Sequence, residues 1–562
     1  MATVRDTTYD LLRALGMTTV FGNPGSTEQP FLQDFPADFH YVHALQEASA
    51  VAMADGYAQA TGRPAHVNLH TAPGTGNGMG NLVTAWHNRT PLVVTAGQQT
   101  RRMLLLEARL ASPRAVELVR PYVKWGHEPV RAQDVPAALM RAYATAVQPP
   151  AGPVFLSLPL DDWHQPADPP PPVRTVATRV APDPARLREF ATILAAGTSP
   201  ALVFGPAVDR SDGWPAAVAL AERLGCPVWS APAPERIGFP EDHPQFQGVL
   251  PYAIGPLAEK LRGHDVVLVV GAPVFRYYPY VPGEYLPPGT RLLHVTEDPD
   301  EAARAPVGDS LLGDVRLAAE ALETQLRRLP PAQPTRPDQA APSDQAAPPG
   351  QGLPPEQAAP PEQGFRSGRP EPPPEVGRPL SPDAFFAAIA AHWPPDGVLV
   401  QESPSNLPAL RRRFRIRRPA SYFTMASGGL GFGLPAAVGI ALAERHTGRG
   451  RPVVAVIGDG SFHYSVQALW TAAQWRLPLV VLVPVNQQYA ILKAFAEHKR
   501  TPGVPGLDLP GVDLTAIAVG YGCAAVVADT PDEIGAALAA GLAADRPTVV
   551  PVPISTDVPP LL

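Results

Sequence analysis

Short apolar runs alternate with longer alanine-rich stretches in the first part of the chain. Residues 67–69 and 91–95 are apolar runs of strand length, and residues 47–61 form an alanine-rich stretch with few helix breakers. Strands that alternate with helices favour an α/β domain built on a parallel sheet. We expect this first domain to span residues 1–165.

A second α/β unit is predicted for residues 181–329. Its strand candidates are 201–204, 228–230 and 266–270. The first and last of these runs end directly at glycines, which is compatible with a nucleotide site at the carboxyl ends of the strands. However, no complete Gly-x-Gly-x-x-Gly sequence follows any of the three runs. We therefore expect a structural middle domain.

The third unit, residues 380–562, has the most continuous apolar runs. Strand candidates are 398–400, 453–457, 480–483 and 548–552, with helical stretches at 434–445 and 465–475. Runs of Val, Leu and Ile without polar alternation are typical of strands that are covered on both faces. The whole pattern predicts an α/β fold with three doubly wound parallel-sheet domains.

Proline is concentrated between the second and third units. The chain has 73 prolines, and many of them lie in residues 330–379, where Asp-Gln-Ala-Ala-Pro and Glu-Gln-Ala-Ala-Pro recur. This segment has too few large apolar side chains to offset the entropy lost on ordering. It is therefore interpreted as an extended interdomain linker.

Charge and cysteine content narrow the class of protein. The net charge of -7 argues against a nucleic-acid partner, which usually requires a basic surface. The arginine-rich run 411–418 is more simply a solvated surface than an anion site. Two distant cysteines, Cys226 and Cys523, favour a reducing compartment. Without a signal-like start or a run long enough to cross a bilayer, we expect a soluble, cytoplasmic protein without a membrane partner.

A candidate metal and phosphate site follows the run 453–457. Gly458, Asp459 and Gly460 come next, and Asn486 follows the next apolar run. Carboxylate and amide oxygens at neighbouring strand ends suit a hard cation such as Mg²⁺ or Ca²⁺. The glycines would let the main chain approach a diphosphate closely. Alone, Gly-Asp-Gly usually marks only a turn.

Several longer segments identify a family. They are FGNPGS at 21–26, ALQE at 44–47, NLH at 68–70, GTGN at 74–77, TAGQQT at 95–100, GAPVFRY at 271–277, GGLG at 428–431 and ALWTAAQ at 468–474. With the Asp459 and Asn486 pattern, they resemble the thiamine-diphosphate-dependent decarboxylase and acetolactate synthase family, and within it the benzoylformate decarboxylases. The resemblance covers nearly the whole chain apart from the linker. It implies pyrimidine-binding, middle and diphosphate-binding domains, in that order.

The resemblance also implies how thiamine diphosphate is held. Glu47 would bond the aminopyrimidine ring, although on its own an acid at a helix start is explained by the helix dipole. Asp459 and Asn486 would bind Mg²⁺ or Ca²⁺ through their side chains, and Gln488 through its backbone carbonyl. The other cofactor contacts implied are Gly428, Leu430, Ser405, Gly460, Ser461 and Tyr489. In the cofactor-binding segments, two positions depart from the family pattern: Val485 replaces the first of two asparagines, and Pro404 precedes Ser405.

For the substrate, the resemblance implies that Ser26 binds a carboxylate and that His70 transfers protons. Tyr278 stands where the family has a second pocket histidine. Tyrosine ionises only near pH 10, so it is a poorer proton shuttle. The implied pocket walls are Leu110, Phe423, Ile491 and Phe495, and Ile491 replaces a small residue of the benzoylformate enzymes.

The implied reaction is non-oxidative decarboxylation of a 2-keto acid to an aldehyde and CO₂. An aryl acid such as benzoylformate, as in mandelate catabolism, is favoured. Tyr278 leaves open a carboligase or lyase acting on 2-hydroxy ketones, and Ile491 leaves open smaller aliphatic keto acids. A non-catalytic binding protein is disfavoured because Glu47, Asp459 and Asn486 are all present. The family implies a homotetramer with active sites at the dimer interface.

Overall fold

The computed structural model describes residues 2–329, 374 and 377–561. Within these residues, eighteen strands form three six-stranded sheets, and each paired strand runs parallel to its neighbour. This confirms the predicted α/β fold with three parallel-sheet domains. The predicted linker at 330–379 lies almost wholly outside the described residues. None of the described helices has the length and apolar character needed to cross a membrane.

The first sheet has the strand order β2-β1-β3-β4-β6-β5. Its strands are β1 (Thr19–Gly22), β2 (His40–His43), β3 (Ala65–Leu69), β4 (Leu92–Gln98), β5 (Gly126–His127) and β6 (Val154–Pro159). The accompanying helices are α1 (Val4–Ala14), α2 (Gln29–Leu32), α3 (Glu47–Thr61), α4 (Thr71–His87), α5 (Arg101–Leu104), α6 (Ala115–Val119) and α7 (Val135–Val147). The central strands β1, β3 and β4 are buried along their length, as expected for a sheet covered on both faces.

The second sheet has the order β12-β11-β10-β7-β8-β9. Its strands are β7 (Pro200–Phe204), β8 (Val228–Ser230), β9 (Phe246–Val249), β10 (Val266–Val270), β11 (Arg291–Thr296) and β12 (Asp309–Leu312). Its helices are α8 (Pro184–Ala196), α9 (Pro206–Arg210), α10 (Trp214–Leu224), α11 (Ile254–Lys260), α12 (Pro299–Arg304) and α13 (Val315–Arg328).

The third sheet has the order β14-β13-β15-β16-β18-β17. Its strands are β13 (Val398–Glu402), β14 (Tyr422–Phe423), β15 (Val453–Ile457), β16 (Leu479–Val485), β17 (Ala524–Ala525) and β18 (Thr548–Pro553). Its helices are α14 (Pro382–Ala391), α15 (Leu407–Arg413), α16 (Gly433–His446), α17 (Asp459–Phe462), α18 (Ala468–Gln474), α19 (Ala490–Lys499), α20 (Leu514–Gly520) and α21 (Pro531–Leu542).

Helices α3 and α16 join the first domain to the third through closely spaced main chains. A Cβ atom on Gly439 would lie 1.9 Å from the carbonyl oxygen of Met53. A Cβ atom on Gly56 would lie 2.3 Å from the carbonyl oxygen of Ala436. Only glycine permits two backbones to approach this closely, so the interface depends on the absence of these two side chains.

Replacement of Gly439 by alanine is therefore expected to lower the melting temperature by at least about 5 °C, because the added methyl group must push the two helices apart. Thermal unfolding followed by circular dichroism measures this effect. Gly520→Ala is the control, since a Cβ atom there meets nothing within 4 Å. Equal melting temperatures for the two variants would contradict the close packing of α3 on α16.

Candidate active site

The carboxyl ends of the first and third sheets carry most of the residues predicted to be functional. The strand order reverses between β1 and β3, which are followed directly by Asn23 and His70. It also reverses between β13 and β15, which are followed by Ser403 and Gly458. Parallel α/β sheets bind ligands in the crevice at such a reversal. The first and third sheets therefore each provide a crevice, one for each predicted half of the site.

In the first crevice, a buried carboxylate fixes the predicted proton-transfer residue. Glu28 Oε2 lies 2.9 Å from His70 Nδ1, and Glu28 is only 1% exposed. The same carboxylate accepts hydrogen bonds from the backbone N–H groups of Gly25 and Gly97 and from the hydroxyl of Thr27. A carboxylate oxygen at this distance suits a hydrogen bond from Nδ1–H, so the contact favours the tautomer of His70 that carries its hydrogen on Nδ1. The Nε2 atom is then left to act on a bound molecule.

Glu47 lies beside this pair. It is the first residue of α3, and its carboxylate oxygens lie 3.4 Å from Asn23 Nδ2 and 3.0 Å from Asn77 Nδ2. A Cβ atom on Gly74 would lie 3.1 Å from Glu47 Oε1 and 3.2 Å from His70 Cβ. Glycine at position 74 thus leaves space between the two side chains. Glu47 is largely buried, whereas the nearby Ser26 is exposed.

In the second crevice, Asp459 is bound by the main chain of its neighbours. Its Oδ2 accepts from the N–H groups of Asn486 (3.1 Å) and Gln487 (2.6 Å), and its Oδ1 accepts from Gly460 N–H (2.9 Å). Burial raises the pKa of Asp459, and these hydrogen bonds oppose the rise. The side-chain oxygen of Asn486 accepts from the N–H of Gln488 at 3.2 Å. The structure therefore brings together the three residues predicted to bind a cation.

The chemistry of this oxygen set fits a hard divalent cation. It offers a carboxylate, an amide oxygen and the Gln488 carbonyl, which are ligand types used for Mg²⁺ and Ca²⁺. The Gln488 side chain is engaged elsewhere, with Thr556 O and with Lys493 Nζ. Among the described residues, no group of three or more His, Cys, Asp and Glu side chains could hold a metal. A cation here would thus rely on a mixed set of oxygens and on further ligands from its partner molecule.

Other predicted cofactor contacts line the same crevice. A Cβ atom on Gly460 would lie 2.5 Å from the Tyr489 ring, so glycine is required for this contact. Ser461 is buried in the short helix α17, and Ser405 lies in the 3₁₀ turn Pro404–Asn406 after β13. These four positions therefore follow the carboxyl ends of the neighbouring strands β13, β15 and β16.

Helix α4 connects the two crevices. Asn77 donates to Glu47, and Asn81, one turn later, donates to the carbonyl of Gly431 at 3.3 Å. Gly431 and Gly428 have φ angles of +97° and +75°, which favour glycine, and Leu430 lies between them. The segment that carries Leu430 is thus hydrogen bonded to α4, the helix whose Asn77 also hydrogen bonds to Glu47.

One predicted pocket wall, Phe495, contacts the ring of Tyr278, which was predicted to be catalytic. The ring centroids of Tyr278 and Phe495 are 4.9 Å apart, and Ile491 lies one turn before Phe495 on α19. Leu110 is partly buried in a loop with φ +68°. Phe423 differs from the other three wall residues, because it has no exposed surface and its ring centroid lies 4.8 Å from the guanidinium carbon of Arg236. It therefore presents no open wall within the single chain.

Comparison with known proteins gives a consistent result along the chain. Residues 2–114 match the N-terminal TPP binding domain of thiamine pyrophosphate enzymes, residues 187–322 their central domain, and residues 406–552 their C-terminal TPP binding domain. Benzoylformate decarboxylase of Pseudomonas aeruginosa is 49% identical over 564 residues, which cover 100% of both chains.

Two solved structures are similar over nearly the full chain. Benzoylformate decarboxylase from Polynucleobacter necessarius has a TM-score of 0.91 and 47% identity, covering 100% of both chains. The thiamine diphosphate-dependent 4-hydroxybenzoylformate decarboxylase of Rhodococcus jostii has a TM-score of 0.89 and 43% identity, covering 99% of this chain and 100% of the other. These matches confirm the family resemblance found in the sequence.

Proposed function

Because the chain belongs to the thiamine pyrophosphate enzyme family, we propose that it is a carboxy-lyase that converts an aryl 2-keto acid, such as benzoylformate, to an aldehyde and CO₂. The observation that carries the proposal is the placement of Glu47 and His70 on either side of Gly74. An acid and a fixed imidazole at one crevice can serve successive proton transfers to a bound molecule.

The residues present fit thiamine diphosphate. Glu47 would hold the aminopyrimidine ring, Leu430 would support the thiazolium ring, and Gly428 would accept a hydrogen bond through its carbonyl. Asp459 and Asn486 would hold the diphosphate through a divalent cation, for which we propose Mg²⁺ or Ca²⁺. When bound, the cofactor supplies the electron sink that lets the bond between carboxylate and keto carbon break.

The remaining roles belong to the chain itself. Ser26, exposed at the start of the crevice, would orient the substrate carboxylate by hydrogen bonding. His70, held by Glu28 through Nδ1, would present Nε2 for proton transfer to the decarboxylated carbon. Tyr278, Ile491 and Phe495 would enclose the aryl group. Leu110 and Phe423 remain predicted wall residues, and Phe423 would need a change of packing to take part.

Two alternatives have specific features in their favour. Tyr278 replaces a histidine of the family pattern. Slower protonation of the decarboxylated substrate would leave it time to react with an aldehyde, as in a carboligase or lyase. Ile491 could narrow the pocket and favour smaller aliphatic keto acids. Two similar proteins, the benzoylformate decarboxylase of Pseudomonas aeruginosa and the 4-hydroxybenzoylformate decarboxylase of Rhodococcus jostii, are named for aryl 2-keto acids, which favours an aryl substrate.

We also propose a homotetramer whose active sites lie at a dimer interface. Leu105 and Leu106, near Leu110, are 91% and 69% exposed, and exposed apolar residues of this kind commonly mark a contact surface. Light scattering on the purified protein measures the assembly. A cytoplasmic location and a place in mandelate catabolism stay predictions. The buried Cys226 and Cys523, which form no disulfide, are compatible with a reducing compartment.

A panel of substrates tests the proposed reaction. Purified protein with thiamine diphosphate and Mg²⁺ would be offered benzoylformate, pyruvate and a branched aliphatic 2-keto acid, with CO₂, aldehyde and 2-hydroxy ketone measured separately. We expect benzoylformate to give equal amounts of CO₂ and benzaldehyde at the highest kcat/KM. A 2-hydroxy ketone as the main product would support the carboligase, and faster turnover of an aliphatic acid would support the narrower pocket.

Replacing Glu28 with glutamine is expected to lower kcat/KM for benzoylformate by about tenfold or more. The amide is neutral, and its NH₂ group would face hydrogen-bond donors that now point at the carboxylate, so His70 would be held less firmly. Steady-state kinetics measure this loss. In a His70→Ala background, the same Glu28→Gln change should have little further effect, since the two residues act as a unit. Independent, multiplicative losses would contradict the pairing.

Exchanging Tyr278 for histidine is expected to raise the ratio of benzaldehyde to 2-hydroxy ketone by several-fold, because imidazole transfers protons near neutral pH. Product analysis in the presence of added benzaldehyde measures the ratio. Tyr278→Phe is the matched control, since it keeps the ring that contacts Phe495. An unchanged ratio in the histidine variant would exclude Tyr278 as the determinant of product choice.

A further inference from the structure

Glu402, a buried glutamate at the end of β13, contacts both segments proposed to hold the cofactor, one through its carboxylate and the other through its main-chain carbonyl. Glu402 is 1% exposed. Its Oε1 accepts from the N–H of Gly431 at 2.7 Å, and its Oε2 accepts from the N–H groups of Phe432 (2.9 Å) and Gly433. Its main-chain carbonyl accepts from the N–H of Gly458 at 3.0 Å. None of the roles described above uses this residue.

The first of these bonds acts directly on Leu430. The N–H of Gly431 belongs to the peptide group that follows Leu430, so the Glu402 carboxylate holds that peptide in place. The carbonyl of Gly431 accepts from Ser465 Oγ (2.7 Å) and from Asn81 Nδ2 (3.3 Å). Both polar groups of Gly431 are therefore held, and with them the main chain that follows Leu430.

The bonds to Glu402 come from the start of a helix. Gly433 is the first residue of α16, where N–H groups lack partners within the helix and the helix dipole favours a negative charge. Among the described residues, no Lys, Arg or His forms an ion pair with Glu402. Burial raises the pKa of Glu402 to about 7, and the three backbone hydrogen bonds oppose that rise. The hydrogen bonds found for this carboxylate therefore all come from the backbone N–H groups of residues 431–433.

We propose that Glu402 is a positioning residue that fixes the spacing between Leu430 and Asp459. Its side chain positions residues 431–433 by hydrogen bonding, while its main-chain carbonyl positions Gly458, the residue before Asp459. A thiazolium ring and a diphosphate bound by these two segments would be held in one relative arrangement. The inference rests on the proposed cofactor and adds a residue that acts on it through the main chain.

Glu402→Gln tests this role. The amide group places its own N–H donors against the backbone N–H groups, so it cannot satisfy all three. We expect the Kd of thiamine diphosphate with Mg²⁺, measured by calorimetry, to rise at least about tenfold. At saturating cofactor, kcat for benzoylformate should fall at least about tenfold while KM stays within about threefold, because Glu402 does not contact the substrate.

Glu444→Gln is the matched control. Glu444 is a buried glutamate near the other end of α16, where it pairs with Arg449 and Arg451. We expect this variant to lose thermal stability while keeping the wild-type Kd and kcat. A Glu402→Gln variant that likewise loses only stability would overturn the positioning role. If wild-type protein fails to bind thiamine diphosphate, the proposed function fails too, which separates the two results.

Hydrogen exchange on the wild-type protein covers the case in which Glu402→Gln does not fold. The amide hydrogens of residues 431–433 should be strongly protected before any cofactor is added, because Glu402 already accepts from all three. Protection that develops only after thiamine diphosphate binds would overturn the inference, since the cofactor and not Glu402 would then order the segment.

Discussion

Glu47→Gln protein is expected to decarboxylate benzoylformate with a kcat lowered by about 100-fold or more, at saturating thiamine diphosphate and Mg²⁺. Glutamine keeps the size of the side chain but has no acidic proton that it could share with a bound aminopyrimidine ring. The buried position of Glu47 between Asn23 and Asn77 makes the loss specific, because no other carboxylate in the first crevice contacts these two amides. Steady-state CO₂ release gives kcat and KM.

A surface substitution, Glu117→Gln, controls for removal of one negative charge, since its side chain is 66% exposed. This variant should retain the wild-type kcat. Near-wild-type activity of Glu47→Gln, in protein that still binds the cofactor, would show that Glu47 does not transfer the proton. Its role would then be limited to the start of helix α3.

Asp459→Asn protein is expected to bind thiamine diphosphate about 100-fold more weakly at a fixed Mg²⁺ concentration, because Asp459 is the one charged side chain in the proposed ligand set. The new amide would also point N–H donors towards the backbone N–H groups of Asn486 or Gln487. Excess Mg²⁺ should restore part of the affinity. Titration calorimetry at two Mg²⁺ concentrations measures both effects.

Asp545→Asn is the control for this variant, as its side chain is 75% exposed. Removing the cation from wild-type protein with a chelator should likewise release the cofactor, and adding Mg²⁺ or Ca²⁺ should reverse the release. Unchanged cofactor affinity in Asp459→Asn would contradict the proposed metal site.

Much of the fold could be predicted because its central elements carry uninterrupted signals. The predicted strands 228–230, 266–270 and 453–457 and the predicted helix 47–61 have the observed bounds. Elements without such a signal were not predicted. The edge strand β2 (His40–His43) is partly exposed and rich in histidine, so its sequence lacks an apolar run.

For the candidate site too, only some of the residues could be predicted from the sequence. Glu47, Asp459 and Asn486 stand in motifs that are readable along the chain. Glu28 and Glu402 do not, because each acts through partners that only the fold brings close: His70 from the next central strand for Glu28, and the start of α16 for Glu402. In the sequence, each is only an acidic residue at or after the end of a strand, and such residues are too common to identify a function.

Prediction from the sequence is weakest where packing decides a role. Phe423 stays a predicted pocket wall, although in the single chain it is fully buried and its ring packs against Arg236. An aromatic residue on a strand can face either side of the sheet, and the strand of only two residues gives no alternation from which to choose.

The dependence of decarboxylation on thiamine diphosphate is tested most directly with protein first freed of cofactor and divalent cations by a chelator. Benzoylformate is then added, and CO₂ is followed before and after thiamine diphosphate and Mg²⁺ are restored. We predict no CO₂ release beforehand, and afterwards a rate that saturates with cofactor and yields one benzaldehyde for each CO₂. Release that is independent of the cofactor, or cofactor binding without release from any 2-keto acid offered, would contradict the assignment as a thiamine-diphosphate-dependent decarboxylase.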